Sequence, residues 1–275
     1  MREEAPADYL KRMGEAGDGP HDIATAALML SAFDHPDRKL APYRSHLAEL
    51  AGAARSELEF ARDAEIAARA LAAVVAGRFG YEGDRANYEE PENADFIFVI
   101  ERRRGLPVAL GIVYMHAARA AGLRAHGLAA PGHFLLMIES AGAEAVVDPF
   151  NGGVVIDAES LAAPPMFTDL DLPGIAQALD PVSDTDVLLR LLNNIKTRAL
   201  EAADAARAIE IVRRMTLIAP GRAAPWLELG RLEESAGSLG AARAAYESAL
   251  ARAKRAGGEG TEAALALLAL KRRLN

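Results

Sequence analysis

Residues 105–153 read GLPVALGIVYMHAARAAGLRAHGLAAPGHFLLMIESAGAEAVVDPFNGG, and the change of pattern inside this stretch decides the fold. Up to Gly122 the apolar residues recur at helical spacing, with Leu110, Val113, Tyr114 and Ala117 on one face. Pro107 stands where a first helical residue is favoured, and Gly122 stands where a helix ends. Beyond Gly122 the runs shorten to His126–Ala130, His133–Ile138 and Ala145–Val147. Pro131-Gly132, Ser140-Ala141-Gly142 and Asn151-Gly152-Gly153 divide or follow them. Apolar runs of that length between turn residues predict buried strands of a small antiparallel sheet.

On the N-terminal side, residues 1–80 read as helices that form an N-terminal part of the same core. Ile23, Ala27, Leu30 and Phe33 share one face. Leu47, Leu50 and Ala51 follow, then Leu58, Phe60, Ile66, Leu71, Val74 and Val75. Pro36 and Pro42 break these helices, and Gly80 is placed to cap the last. Residues 81–91 are polar and turn-rich, and helical spacing resumes at Phe96, Val99 and Ile100. Residues 81–182 are therefore read as a helix-plus-sheet core. Its last part, Asp157 to Val182, is punctuated by Pro164, Pro165, Pro173 and Pro181 and reads as a connection.

From residue 183 to residue 275 the chain reads as helical, and it repeats. A shift of 34 residues places Leu192 on Trp226, Ile195 on Leu229, Ala208 on Ala242, Val212 on Tyr246 and Met215 on Ala249. Paired helices at that period are the mark of tetratricopeptide repeats, here residues 189–222 and 223–256 with a capping helix from Thr261. Trp226 and Tyr246 are the candidate residues of the repeat surface. With only two repeats, bracing the preceding domain and binding a partner are both open roles.

Bulk composition narrows the function classes. Hydrophobic residues make up 51% and charged residues 25%, as in an ordinary globular protein. The formal net charge of −8 opposes a broad phosphate-binding surface, so no nucleic-acid partner is expected. Glu101-Arg102-Arg103-Arg104 is too short to reverse this and reads as a solvated helix end. No apolar stretch of about 18 residues lacks a charge, and the polar, acidic N-terminus is unlike an export signal. The expectation is a cytoplasmic protein with no membrane partner. The chain has no cysteine, so it forms no disulfide and offers no thiolate. His116 and His126 lack the spacing of a helical zinc pair, and neither a metal nor a cofactor is expected.

Gly105-Leu106-Pro107 opening a helix, Pro131-Gly132-His133 heading a strand and Val146-Val147-Asp148 ending another resemble the transglutaminase-like superfamily. The resemblance implies a mostly helical α+β fold: a transglutaminase-like, papain-like core with a small antiparallel sheet, then the all-α repeat region. That core places a cysteine at a helix start, a histidine on one strand and an aspartate on the next. A helix N-terminus and an imidazole favour the thiolate, and the carboxylate holds the imidazole in its useful tautomer. On this resemblance His133 and Asp148 match the base and its orienter, and Pro107 falls nearest the nucleophile's place. No Ser or Thr lies between Gly105 and Gly122.

A narrower resemblance rests on Tyr81-Glu82-Gly83-Asp84, Asn87-Tyr88, Val99 to Pro107, Pro131 to Leu135 and Asp148 to Gly153. Together with the repeats, these runs are similar to the bacterial SirB-type family, which commonly carries proline where its enzymatic relatives carry cysteine. The missing nucleophile beside otherwise intact framework motifs points to a protein without transglutaminase-type catalysis that acts in regulation or scaffolding by binding a protein or peptide. Tyr81, Asn87, Arg103, His133, Asp148 and Asn151 are the cleft candidates. Each also has a plainer role. His133 and Asp148 suit a structural hydrogen bond or turn, Asn151-Gly152-Gly153 a tight turn, Arg103 and Arg104 a solvated end, and Tyr81 and Asn87 helix caps. Two other functions stay open: a hydrolase whose His133–Asp148 dyad activates water, and an assembly subunit with a vestigial cleft.

Overall fold

A computed structural model describes residues 4–61, 63–128, 130, 133–156 and 179–274. These divide into two compact units, one running from Asp18 to Leu191 and the other joining the N-terminal helix to the chain from Leu192 onward.

In the first unit local signals start each helix. The Asp22 carboxylate accepts from the Thr25 N–H to open α1 (Ile23–Ala32), as the N-cap rule requires. Pro42 lies in the first turn of α2 (Ala41–Leu58). Asp63 caps α3 (Ala64–Ala72), which continues as a π turn through Arg78. Asp95 caps α4 (Phe96–Arg102) and also holds His35 Nε2 at 2.7 Å. Phe60 and Ile66, expected on the apolar face, are 71% and 53% exposed: Phe60 lies in the α2–α3 connection, and Ile66 falls off the α3 face that buries Ala64, Ala67, Ala68 and Leu71. The axis of the unit is α5 (Pro107–Ala120), whose residues from Pro107 to Met115 are all buried. It packs against α1, α2, α3 and α4 on its helical sides and meets strands on another. Its Ala109, Gly111, Ala117 and Ala118 allow the close approach that a stripe of larger side chains would prevent.

After α5 come β1 (Arg124–Leu128), β2 (Leu136–Ser140) and β3 (Ala143–Asp148), the three expected strands. The sheet is antiparallel, with Gly127 opposite Leu136 and Leu136 opposite Val147. The β2–β3 hairpin turns on Ala141 and Gly142, both at positive φ, which matches strand twist in a two-residue loop. Two more strands extend it, β4 (Val154–Ile156) beside β3 and β5 (Pro181–Val182) beside β1. Pro181 thus opens an edge strand, where a missing N–H is tolerated. Pro164, Pro165 and Pro173 lie outside the described residues. Arg119, near the end of α5, makes a bidentate pair with the buried Asp184 carboxylate at 2.7 Å on both oxygens.

The second unit contains α6 (Pro6–Glu15), the later part of α7 (Asp184–Glu201), α8 (Ala205–Ile218), α9 (Ala223–Ser235), α10 (Leu239–Arg255) and α11 (Thr261–Leu274). Residues 1–80 are expected to belong together, but α6 packs on α8 instead. Its Leu10 and Met13 are buried in that unit, a pairing that no local pattern announces. The first turns of α7, expected beyond the core boundary at 182/183, group with the first unit as far as Leu191, where Asp184 anchors them. Helices α8 and α10 begin 34 residues apart, and the matched residues Ala208 and Ala242, Val212 and Tyr246, Met215 and Ala249 are all buried. Tyr246 is therefore not a surface residue. Its ring lies against Gly230 of α9, and its hydroxyl donates to Glu234 at 2.8 Å. Trp226 is partly covered, with the Arg252 guanidinium 4.1 Å from its ring centre. A side chain at Gly230 would strike that ring. Gly230→Val is expected to lower the stability of this unit by about 1–3 kcal/mol, read as a fall in the urea midpoint; an unchanged midpoint would refute the close contact.

Candidate functional site

The site is built around the end of β3. Asp148 Oδ1 accepts from the N–H groups of Phe150 and Asn151 at 3.0 and 3.2 Å, and Oδ2 accepts from Asn151 Nδ2 at 2.6 Å. This is an Asx turn, in which an aspartate satisfies the backbone two and three residues on. Gly152 and Gly153, both at positive φ, then send the chain back into β4. Gly153 has a second constraint, since a Cβ there would lie 2.6 Å from the Tyr114 hydroxyl. Asn151-Gly152-Gly153 is a tight turn, and Asn151 is also the residue that ties the turn to the carboxylate.

His133 reaches the same carboxylate from the segment before β2, with Nε2 2.9 Å from Asp148 Oδ2. The ring is angled off the hydrogen-bond direction, so the contact is electrostatic and Nε2 remains a buried nitrogen without an aligned partner. Burial works to raise the Asp148 carboxyl, but His133 and then Asn151 outweigh it and hold the group below its ordinary value. The Tyr114 hydroxyl is also buried without a partner, and burial with the nearby Asp148 charge pushes its pKa up. Phe150 stands edge-on to His133 at 6.2 Å and to Tyr88 at 5.8 Å. The Arg85 guanidinium lies over the Phe150 ring and donates to Asn151 Oδ1.

Arg190 of α7 fixes the segment that carries His133. It donates to the carbonyls of His133 at 2.6 Å and Ala130 at 2.9 Å; Pro131 and Gly132 between them lie outside the described residues. Arg190→Ala is expected to move the His133 ring signals in a proton–carbon NMR spectrum and to cost about 1.5–3 kcal/mol, the range for hydrogen bonds from a charged donor. Arg190→Lys, which restores charge without the planar fork, should recover part of both. Unmoved imidazole signals in Arg190→Ala would show that the loop holds itself.

The sequence candidates fall into two groups. His133, Asp148 and Asn151 meet. Tyr81 and Arg103 belong to a separate, half-buried network with His46 of α2. Arg103 Nη1 donates to the Tyr81 hydroxyl at 3.0 Å, and Arg103 lies 3.2 Å from His46 Nδ1. Nδ1 is therefore the acceptor, and the proton sits on Nε2, which donates to Tyr81 at 2.9 Å. Burial, then Arg103, lowers the His46 pKa to about 4, and burial pushes Tyr81 up to about 12. Arg103 is thus not part of a solvated helix end, whereas Arg104 is exposed as expected. Arg103 turns the chain at φ +59 into that network, Arg104 pairs with Glu82, and Arg102 spans Asp84 and Glu92. Asn87 stands exposed, its carbonyl taken by Asn93 Nδ2 at 2.7 Å.

Beside the dyad lies a cleft of about 770 Å³, lined by Tyr81, Asn87, Phe150 and Asn151 together with Arg85, Arg102 and Arg104. Pro107 occupies the first turn of α5, after Leu106, whose N–H donates to the Asn93 carbonyl at 2.9 Å. His116 Nε2 is engaged by the Leu47 carbonyl and His126 by Glu139. Among the described residues no helix is long and apolar enough to cross a membrane. Arg85, Phe150 and Arg190 were not among the sequence candidates. Phe150 lies inside the Asp148–Gly153 run, whereas nothing local marks Arg190.

The chain is 29% identical over 221 residues to a UPF0162 protein of Xylella fastidiosa, covering 76% of this chain and 78% of that one. A UPF0162 protein of Vibrio cholerae is 30% identical over 135 residues, 49% of this chain and 50% of the other. A crystal structure of menin aligns with 90% of this chain and 70% of its own, at 11% identity and a TM-score of 0.37, too distant to carry an argument. Residues 41–193, from α2 into α7 and including Pro107, His133 and Asp148, match the profile of the transglutaminase-like superfamily. With more than half of its length inside that profile, the chain belongs to the transglutaminase-like superfamily.

Proposed function

We propose that the chain is a non-catalytic member of this superfamily, of SirB-type organisation, which binds a protein or peptide segment at the cleft beside His133 and Asp148 in a regulatory or scaffolding role. One observation carries this reading. The chain has no cysteine, and proline holds the first turn of α5 while the His133–Asp148 contact remains in place. A pyrrolidine ring neither ionises nor attacks a carbonyl, so acyl transfer through a thioester is closed. Residues 189–222 and 223–256, read as tetratricopeptide-like repeats with a capping helix after them, are the second candidate surface for a partner.

Affinity capture followed by mass spectrometry tests this, with the wild type, His133→Ala and Trp226→Ala compared. A reproducible partner lost in His133→Ala and kept in Trp226→Ala supports the cleft. The reverse pattern favours an assembly subunit whose partner sits on the repeats, and no reproducible partner sinks the reading.

The close His133–Asp148 contact favours one other reading, a hydrolase in which the imidazole activates water. General-base help alone contributes about 10²–10⁴-fold, so such an enzyme would also need donors aimed at the developing oxyanion. Turnover of an ester or peptide library by the purified protein, abolished by His133→Ala, would replace the non-catalytic reading.

A further inference from the structure

Resting on the reading of the cleft as a peptide site, we propose that its occupant is a peptide held through a carboxylate by Arg85. The cleft is lined by Arg85, Arg102 and Arg104 against the carboxylates of Glu82 and Asp84. Arg104 is taken by Glu82, and Arg102 by Asp84 and Glu92. Among the described residues Arg85 pairs with no carboxylate. It is exposed, lies 5.6 Å from the Phe150 ring centre and donates to the neutral amide oxygen of Asn151.

A charge-assisted bidentate pair is stronger than a bond to a neutral amide, so an arriving carboxylate displaces or shares that contact. The Phe150 ring lies beside the guanidinium as an apolar wall, with Tyr88 edge-on to it. Ala76, Gly80 and Gly152 on the lining leave room for a peptide backbone. The net charge of −8 does not forbid this, because charges beyond the screening length of about 8 Å at physiological ionic strength are damped, while a contact pair is not. Asn151 also donates to Asp148, so a carboxylate that draws Arg85 away is felt at the His133–Asp148 pair.

The test is an NMR titration of the isotope-labelled full chain with three N-acetylated peptides: acetyl-Gly-Phe-Glu-Gly-amide, its Gln counterpart, and the Gln peptide with a free carboxyl terminus. One or both carboxylate peptides should shift the Asn151 and Gly152 amides and bind roughly tenfold or more tightly than the Gln amide, the ratio expected for one charge-assisted contact. Which of the two binds tells a side-chain carboxylate from a chain terminus. Arg85→Gln should erase the preference, and Arg85→Lys should keep part of it. Equal binding of all three peptides, or a preference that survives Arg85→Gln, would overturn the carboxylate assignment and leave the peptide site standing. No shift of any cleft amide by any of the three would remove both.

Discussion

Phe134→Ala should destabilise the core unit by about 3–5 kcal/mol, the range for deleting a buried phenylalanine. The reason lies in what surrounds the ring. Phe134 is buried between α5 and β1, and it fits because both present glycine to it. A side chain at Gly111 would overlap the ring edge, and one at Gly127 would come within 2.8 Å of Cζ. On another side the Arg190 guanidinium lies 5.7 Å from the ring centre. Glycines cannot collapse into the space the ring leaves, so the cavity persists and the cost falls in the upper part of the range. The same geometry predicts a reversal of sign. Gly111→Ala alone should overpack the site and cost about 1–3 kcal/mol, but in a Phe134→Ala background its methyl should fill part of the void and recover stability. A urea double-mutant cycle measures this coupling. Additive effects, or a loss below about 1 kcal/mol for Phe134→Ala, would mean that the ring is not the wedge between helix and sheet. Because His133 is the preceding residue, the single variant should also blur the imidazole signals.

Local chemistry made much of this architecture readable from residue order. Pro107 and Gly122 bound α5 because a first-turn proline and a terminal glycine each carry their own backbone preference. The strands β1, β2 and β3 were legible as apolar runs between turn residues, whereas β4 and β5, of three and two residues, are too short to show alternation. The placement of α6 on α8 was not legible, because its buried Leu10 and Met13 fit many partners equally well. At the site, His133, Asp148 and Asn151 are legible through the resemblance of their motifs to those of the superfamily. Tyr81 lines the cleft as expected, whereas Arg103 does not, because its side chain is spent on Tyr81 and on His46, a partner on a different helix. Tyr246 was placed on a surface because a repeat period marks equivalent positions without saying which face they occupy.

Acid should weaken the core partly through one carboxylate. The Asp148 pKa is opposed by burial but is held below its ordinary value of 3.8 by His133 and Asn151. A carboxyl depressed in the folded state contributes stability that is fully present above the unfolded value, near pH 4, and is lost as pH falls through the lower folded value. Asp148→Asn should therefore flatten the acid limb of stability below about pH 4 while keeping an oxygen for the Phe150 and Asn151 N–H groups. Asp148→Ala removes the acceptor altogether. It strands those two backbone donors, the Asn151 amide and the nearby His133 Nε2, and should cost about 2–3 kcal/mol even at neutral pH. Urea midpoints for wild type and both variants across the acid range separate the two effects. Acid limbs that superpose for wild type and Asp148→Asn would show that the carboxylate's charge is idle in the folded protein. An Asp148→Ala midpoint equal to wild type at neutral pH would show that the Asx turn closes without it, and the contact with His133 would then lose its standing as the frame of the cleft.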